Sequence, residues 1–325
     1  MKTNIQWGIL GTGRIAEKFA IGLQHVANAQ LYAVGSRSKE QANLFANKFN
    51  IPHAYGSYAE LASDPQVDVI YIASPHVFHA EHTLLCLESG KAVLCEKPFA
   101  MNARQVNEMI KKAREKNLFL MEALWTRFLP TIRKTEELIS SGVIGDIIQI
   151  QSDFGFKAEY DPQWRLFNKK LGGGSLLDIG IYPVFITLLL LGMPDEIVSS
   201  AVIGPTGVDE SMAAVFKYNN GKIASLSSTF MAHTPTETII CGTEGRIRIH
   251  RMWHTPTYMT LTQNNGTSED IYFDYASNGY EYEAQEVTNC LLQGLKESPL
   301  LPLSFSEKLI SLLDTIRQQW NLEYE

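Results

Sequence analysis

Through the first third of the chain, apolar residues fall in short unbroken blocks, each followed by a stretch with helical spacing. NIQWGIL (4–10) is the first block, and after GTGRIA the segment from Glu17 to Val26 puts Phe19, Leu23 and Val26 on one helical face. Gln30 to Gly35 is a second block, and a polar helix is expected over 38–49. Asp68 to Ala73 and Lys91 to Cys95 predict two more strands, while His79 to Ser89 and Asn102 to Asn117 predict two more helices. Strands that are apolar throughout are covered on both faces, so this alternation predicts a parallel sheet between layers of helix.

From Gly145 the pattern changes to longer, half-polar strands. Ile147 to Phe156 alternates in part, and strands at 209–218 and 222–230 flank Asn219-Asn220-Gly221, a hairpin turn signal. Further strands are expected at 197–203, 237–241, 245–250 and 257–262. Hairpins in series predict a large, mainly antiparallel open sheet, one face on helices and the other free to meet a partner. A flat apolar outer face there would favour a homodimer. Ser304 to Trp320 reads as a closing helix with Leu309, Leu312, Leu313 and Ile316 on one side.

The chain has 325 residues, enough for two domains; 45% are hydrophobic and 19% charged, a globular balance. A net charge of −7 leaves no basic excess for neutralising phosphates, so no nucleic-acid partner is expected. No run of about 18 apolar residues appears, and none is expected to span a membrane. The start, MKTNIQWGILG, does not read as a signal peptide. Cys86, Cys95, Cys241 and Cys290 lie far apart, which suits neither a zinc site nor a disulfide framework and points to reduced thiols in the cytoplasm.

Between the first strand and helix, Gly11-Thr12-Gly13-Arg14-Ile15-Ala16 forms a GxGxxA fingerprint. Gly11 permits a tight turn, Gly13 lets the backbone approach a pyrophosphate, and the helix N-terminus offers N–H groups to the anion. The expected organisation is therefore α/β: a Rossmann dinucleotide-binding domain over 1–122, and an α+β substrate-binding and dimerisation domain over 123–325. The helix at 304–320 is a candidate to pack back on the first domain. After the second strand the chain reads Gly35-Ser36-Arg37-Ser38, with no carboxylate for a ribose hydroxyl. Two hydroxyls and a guanidinium suit a 2′-phosphate, which favours NADP and leaves NAD open. The plainer reading is that Ser38 caps the next helix and Arg37 is solvated.

Lys97 ends the apolar run AVLCEKPFA (92–100), where open α/β sheets bind their ligands. Its candidate partners lie in GGGSLLDIGIY (172–182), where Asp178 and Tyr182 at i and i+4 would face the same way on a helix that Pro183 kinks. Hydride transfer from an alcohol carbon needs a base for the hydroxyl proton. A phenol near ~10 holds its proton too tightly, and an ammonium would lower that by about 1–3 units. Tyr182 or Lys97 would carry the proton, and Asp178 would orient the lysine or a second hydroxyl. The plain alternative is a Lys97–Asp178 ion pair with Tyr182 as ordinary core.

GILGTGRIA, DVIYIASPHVFHAEHTLLCLESGKAVLCEKPFA and GGGSLLDIGIYPV together resemble the glucose-fructose oxidoreductase, inositol dehydrogenase and rhizopine-catabolism (Gfo/Idh/MocA) family over nearly the whole chain. EALWTRFLP (122–130) and SDFGF (152–156) look most like its dimeric dihydrodiol dehydrogenases and NADP-linked sugar dehydrogenases. The resemblance implies catalysis by Lys97 with Asp178 and Tyr182, although many members carry histidine where this chain has Tyr182. It also implies that Ser74, Pro75, His76 and His79 lie by the nicotinamide and that Glu96 faces the ribose. Trp125, Arg127 and Phe154 would line the cofactor or substrate cleft. A cis Lys97–Pro98 bond is expected.

Three other signals are set aside. Tyr218 and Lys222 match a YxxxK spacing but flank a hairpin turn; His76, His79 and His82 lack metal-ligand spacing, so no metal is expected; Trp253 and His254 could reach a substrate cleft but read first as a surface loop. The leading expectation is an NAD(P)-dependent dehydrogenase for a sugar, polyol or vicinal diol. Alternatives are a catalytically silent NADP-sensing protein and a sugar-modifying enzyme with tightly held cofactor.

Overall fold

In the computed structural model, which describes residues 2–324, the apolar blocks of the first third become parallel strands: β1 (Ile5–Leu10), β2 (Ala29–Gly35), β3 (His53–Tyr55), β4 (Val69–Ile72), β5 (Ala92–Glu96) and β6 (Leu120–Ala123). Their order is β3-β2-β1-β4-β5-β6, the doubly wound arrangement with its reversal beside β1. Every residue of β4 and β5 is buried, as strands covered on both faces must be. The intervening helices are α1 (Arg14–Leu23), α2 (Lys39–Phe49), α3 (Tyr58–Ser63), α4 (His79–Glu88) and α5 (Ala103–Lys116). Both α2 and α5 end on an asparagine in the left-handed conformation, Asn50 and Asn117. The short β3, α3 and β6 carry too few residues for a periodic signal and were absent from the sequence reading.

The second part contains α6 (Pro130–Ser140), β7 (Ile147–Gly155), α7 (Ile181–Leu191), β8 (Glu196–Ile203), β9 (Asp209–Lys217), β10 (Ile223–Thr229), β11 (Thr238–Gly242), β12 (Gly245–Ile249), β13 (Met259–Gln263) and β14 (Ser268–Ile271). Then come α8 (Tyr280–Leu292) and α9 (Leu303–Gln318). The eight strands form one sheet in the order β14-β13-β12-β11-β7-β10-β9-β8. Neighbours are antiparallel except β7 and β10, which run parallel because β7, the earliest strand, lies between two later hairpins. The expected β9–β10 hairpin forms in register from Ile223–Lys217 to Thr229–Ser211.

Tertiary contacts divide the chain into two units: Met1–Phe128 with Tyr275–Glu307, and Leu129–Asp274 with Lys308–Glu325. The sequence division at 122/123 had put all of α8 in the second domain. Instead α8 packs on the first sheet's own layer: Trp7 Nε1 donates to Thr288 Oγ1 at 3.3 Å, and Asn278 Nδ2 to the Lys18 carbonyl at 2.9 Å. The opening residues of α9 fall in the first unit and the rest in the second. Leu309, Leu312, Leu313 and Ile316 are all buried along it.

In the second unit, Ile150, Phe154, Met212, Ala214, Phe216, Ala224 and Leu226 form the covered face of the sheet, against which α7 lies. The opposite face is mixed rather than uniformly apolar. One row across it runs Val198, Val215, Ser225, Gln151 and Ile239, mixing aliphatic and small polar side chains. Val198 and Val202 are 50% and 61% exposed there. One helical stretch, Lys169–Leu191, is long and apolar enough to cross a bilayer, which the search for an unbroken apolar run passed over. It is 83% buried over its most apolar window, as a core helix is.

Candidate functional site

Gly11 has φ +105°, and a Cβ there would come within 3.2 Å of the Ala73 carbonyl oxygen, so only glycine fits the turn after β1. Gly13 caps α1 with no side-chain hydrogen bond, and a Cβ on it would meet nothing within 4 Å. The N–H groups at the start of α1 are thus reached through open space, with Thr12, Arg14 and Ile15 around them. That cradle fits a dinucleotide pyrophosphate.

Beyond β2, the plain reading holds for Ser38: its hydroxyl caps α2 by accepting from Gln41 N–H at 3.3 Å. Ser36 is buried, whereas Arg37 is exposed and hydrogen-bonds Tyr58. His82 lies against this pair, edge-on to the Tyr58 ring at 4.7 Å and bonded through Nδ1 to Ser74 Oγ at 2.9 Å. Burial, reinforced by the Arg37 charge, lowers the His82 pKa although Glu81 opposes. Tyr58 and His82 were missed because each sits on a different helix, far in sequence from Arg37.

The segment around Lys97 is held from several sides. Its Lys97–Pro98 bond is cis, as expected. His79 Nδ1 lies 2.8 Å from the Pro98 carbonyl and Nε2 3.0 Å from the Ser74 carbonyl, so the ring spans the ends of β4 and β5. Burial pushes its pKa down to about 3, against the pull of the two carbonyl acceptors, which favour the charged ring. Glu96 accepts the backbone N–H of Lys97 at 3.1 Å and the Tyr71 hydroxyl. Glu122, 2% exposed, accepts the Phe99 N–H at 3.0 Å and the Ser306 hydroxyl at 2.6 Å. Pro75 is exposed and His76 buried where β4 ends. Trp125 stacks on Tyr280 at 4.4 Å and 6°, and Arg127 Nε donates to the Leu300 carbonyl at 2.8 Å. Gly11, Ser36, Arg37, Ser74, Pro75, His76, Glu96 and Lys97 therefore gather at the carboxyl ends of β1, β2, β4 and β5.

In the second unit, residues Leu176–Gly180 form a π turn that runs into α7. Asp178 lies in that wider turn and Tyr182 in the first turn of α7, so the two do not belong to one regular α-helix as the i, i+4 spacing suggested. Pro183 follows where the ladder is already interrupted, so its missing N–H costs little. Asp178 is gripped by Arg165, with Nη1 and Nη2 at 3.1 and 3.3 Å from its two oxygens. Asp209 fixes the start of the π turn: its Oδ2 accepts the Leu176 N–H at 2.7 Å and the Ser175 hydroxyl at 2.9 Å. Burial raises the Asp209 pKa to about 6 against the pull of these donors. Gly174, at φ +127°, has no room for a Cβ, which would lie 2.2 Å from Asp209 Oδ1.

Tyr182 is set among aromatic rings: Phe154 at 5.7 Å, His254 at 5.0 Å and Trp253 edge-on at 6.4 Å. Trp253 and His254 are thus not a surface loop; they are 0% and 6% exposed, and Trp253 Nε1 donates to the Asp153 carbonyl at 3.0 Å. Lone polar-aromatic residues between strands read as loop in a sequence, and only the tertiary fold turns this stretch inward. Tyr218 and Lys222, as expected, flank the turn, joined by a backbone bond from Tyr218 N–H to the Lys222 carbonyl.

Comparison with known proteins follows the same division. Residues 5–124 match the oxidoreductase family with an NAD-binding Rossmann fold, and residues 132–248 the GFO/IDH/MocA C-terminal domain. The chain is 42% identical to the trans-1,2-dihydrobenzene-1,2-diol dehydrogenase of Xenopus tropicalis, over 98% of this chain and 99% of that one. To the enzyme of the same name from Homo sapiens it is 37% identical, covering 97% and 96%. A solved 3-ketoreductase from Actinomadura kijaniata, in complex with NADP and TDP-benzene, superposes with a TM-score of 0.87 at 26% identity and 97% coverage of each chain. Levoglucosan dehydrogenase, in complex with NADH and levoglucosan, has the same fold, with a TM-score of 0.88 at 20% identity and 99% coverage. With both halves matched and relatives aligned end to end, the chain belongs to the GFO/IDH/MocA family of oxidoreductases.

Proposed function

We propose that this oxidoreductase is an NADP-preferring dehydrogenase that oxidises one CH–OH group of a vicinal diol, sugar or polyol, and that Lys97, Tyr182 and Asp178 carry the reaction. The observation that carries this reading is the held segment at the end of β5, where Glu96, His79 and Glu122 fix the backbone on both sides of Lys97. Relatives named as dihydrodiol dehydrogenases over the full chain support the diol as substrate class.

When bound, NADP supplies the hydride acceptor. The protein's own part is to take the hydroxyl proton and to orient the carbon. Tyr182 or Lys97 would take that proton, and Asp178 with Arg165 would accept and donate hydrogen bonds to a second hydroxyl. Phe154, Trp253 and His254 around Tyr182 suit an apolar or planar ring face on the substrate. Arg37 with Tyr58 supports NADP over NAD, since a guanidinium recognises phosphate bidentately and no carboxylate occupies 35–38.

The exposed Val198 and Val202 on the outer face of the eight-stranded sheet support a homodimer, and four free cysteines support a reducing, cytoplasmic setting. Lys97→Met tests the core of the reading. Turnover of dihydrodiols, aldoses and inositols should fall at least about 1,000-fold, with NADPH affinity changed less than about threefold. Retained turnover would remove the lysine from the mechanism.

A further inference from the structure

Glu122 has chemistry that a structural anchor does not need. It stands on β6, one strand over from β5, paired so that Cys95 is opposite Glu122 and Glu96 opposite Ala123. Its side chain is 2% exposed, and its oxygens accept from two neutral donors: the Phe99 N–H, two residues past Lys97, and the Ser306 hydroxyl of α9. An amide side chain would satisfy the same N–H. A carboxylate buried on such partners adds a charge that costs free energy to bury.

Resting on the role given above to Lys97, we propose that Glu122 is a positioning residue for the reaction: through Phe99 it holds the backbone that carries Lys97, and its charge sustains the ammonium form of that lysine.

The charged and titratable groups facing it are Lys97, which favours its ionised form, Glu96, which opposes it, and the buried Cys95 thiol on the paired strand. Glu283 on α8 also faces Glu96, its carboxyl wholly buried and its pKa raised by burial and the Glu96 charge. Burial dominates over the two donors and Lys97, and pushes the Glu122 pKa up to about 7. Glu122 therefore gains its charge near neutral pH, and above that point a second anion stands beside Lys97 with Glu96. An added anion raises the pH at which an ammonium gives up its proton.

The pH profile of kcat/KM tests this in two variants of the full-length protein. Glu122→Gln keeps an acceptor for Phe99 N–H but carries no charge. Its alkaline limb should move about one unit toward lower pH, the ionisation near pH 7 should vanish, and NADPH affinity and Tm should stay close to wild type. Ser306→Ala removes a donor to the carboxylate, so in that variant the same ionisation should move to higher pH. Profiles of both variants that superimpose on wild type would overturn the proposal, as would a Glu122→Gln variant altered only in Tm. Lys97→Met, measured alongside, separates the two ideas: if it turns over normally the reading of Lys97 fails, whereas if it is inactive and the Glu122→Gln profile is unshifted, only the role of Glu122 fails.

Discussion

Arg165 and Asp178 are joined through both guanidinium nitrogens and both carboxylate oxygens, at 3.1 and 3.3 Å. Asp178 sits on the π turn that precedes Tyr182 and Arg165 reaches it from the stretch after β7, with the arginine side chain 49% exposed and the aspartate 11%. A half-exposed ion pair adds little to folding, so its value lies in fixing the direction of the carboxylate. In Arg165→Ala, KM for a diol substrate should rise about tenfold, with Tm lowered by less than about 3 °C and NADPH affinity unchanged. Steady-state kinetics with a thermal melt checks this; an unchanged KM means that the orientation of Asp178 does not depend on Arg165.

Arg37 and Tyr58 lie beside the end of β2, where a 2′-phosphate would need a cation. Arg37→Ala should weaken NADPH binding about 10- to 100-fold and NADH binding less than about threefold, the span expected for a charge-assisted hydrogen bond. Quenching of tryptophan fluorescence by each cofactor provides both constants. Equal losses would mean that the arginine serves something common to the two.

The uncovered sheet face makes a separate prediction. Val198 and Val202, both half exposed or more on β8, would be desolvated between two copies of the chain. Val198→Glu combined with Val202→Arg should convert a dimer to a monomer in sedimentation velocity while leaving far-UV circular dichroism intact. A wild-type chain that already sediments as a monomer at micromolar concentration excludes this interface.

Asp209 carries a pH signature of its own. Its pKa rises from the ordinary 3.8 to about 6, chiefly by burial, so between those values the folded protein keeps a proton that the unfolded chain has released. The stabilisation from this group is complete below the lower value and declines as pH rises through the window. Relative to Asp209→Asn, wild type should therefore lose about 2–3 kcal/mol of stability between pH 4 and pH 7. Urea unfolding of both proteins across that range measures it, and a constant difference would show that Asp209 does not titrate there.

How much of this was legible in advance follows from the kind of signal each residue sends. The parallel sheet was, because buried strands and amphipathic helices such as α1 and α5 repeat their pattern over many residues. Lys97 stood out because a charge directly followed by proline at the end of an apolar run has no packing explanation. The grip on that lysine did not stand out: His79, Glu122 and Ser306 come from α4, β6 and α9, and no local spacing links them. Arg165 and His254 were hidden for the same reason, each reaching its neighbour through tertiary folding alone. The π turn was misread as α-helix because a single additional residue in one turn leaves the apolar pattern of Leu176 to Leu191 almost unchanged. The parallel β7–β10 pair was hidden as well, since hairpin signals report on neighbours in sequence and not on a strand inserted between them.

The π turn also sets a limit on how this stretch could change by descent. Removing Ile179 or Gly180 would let the hydrogen-bond ladder close regularly, and the shortened helix would gain in backbone order. It would also turn Asp178 by about 100° about the helix axis relative to Tyr182. A lineage that took this more regular helix would keep Asp178 and Tyr182 in its sequence and lose the relative placement on which the proposed chemistry depends.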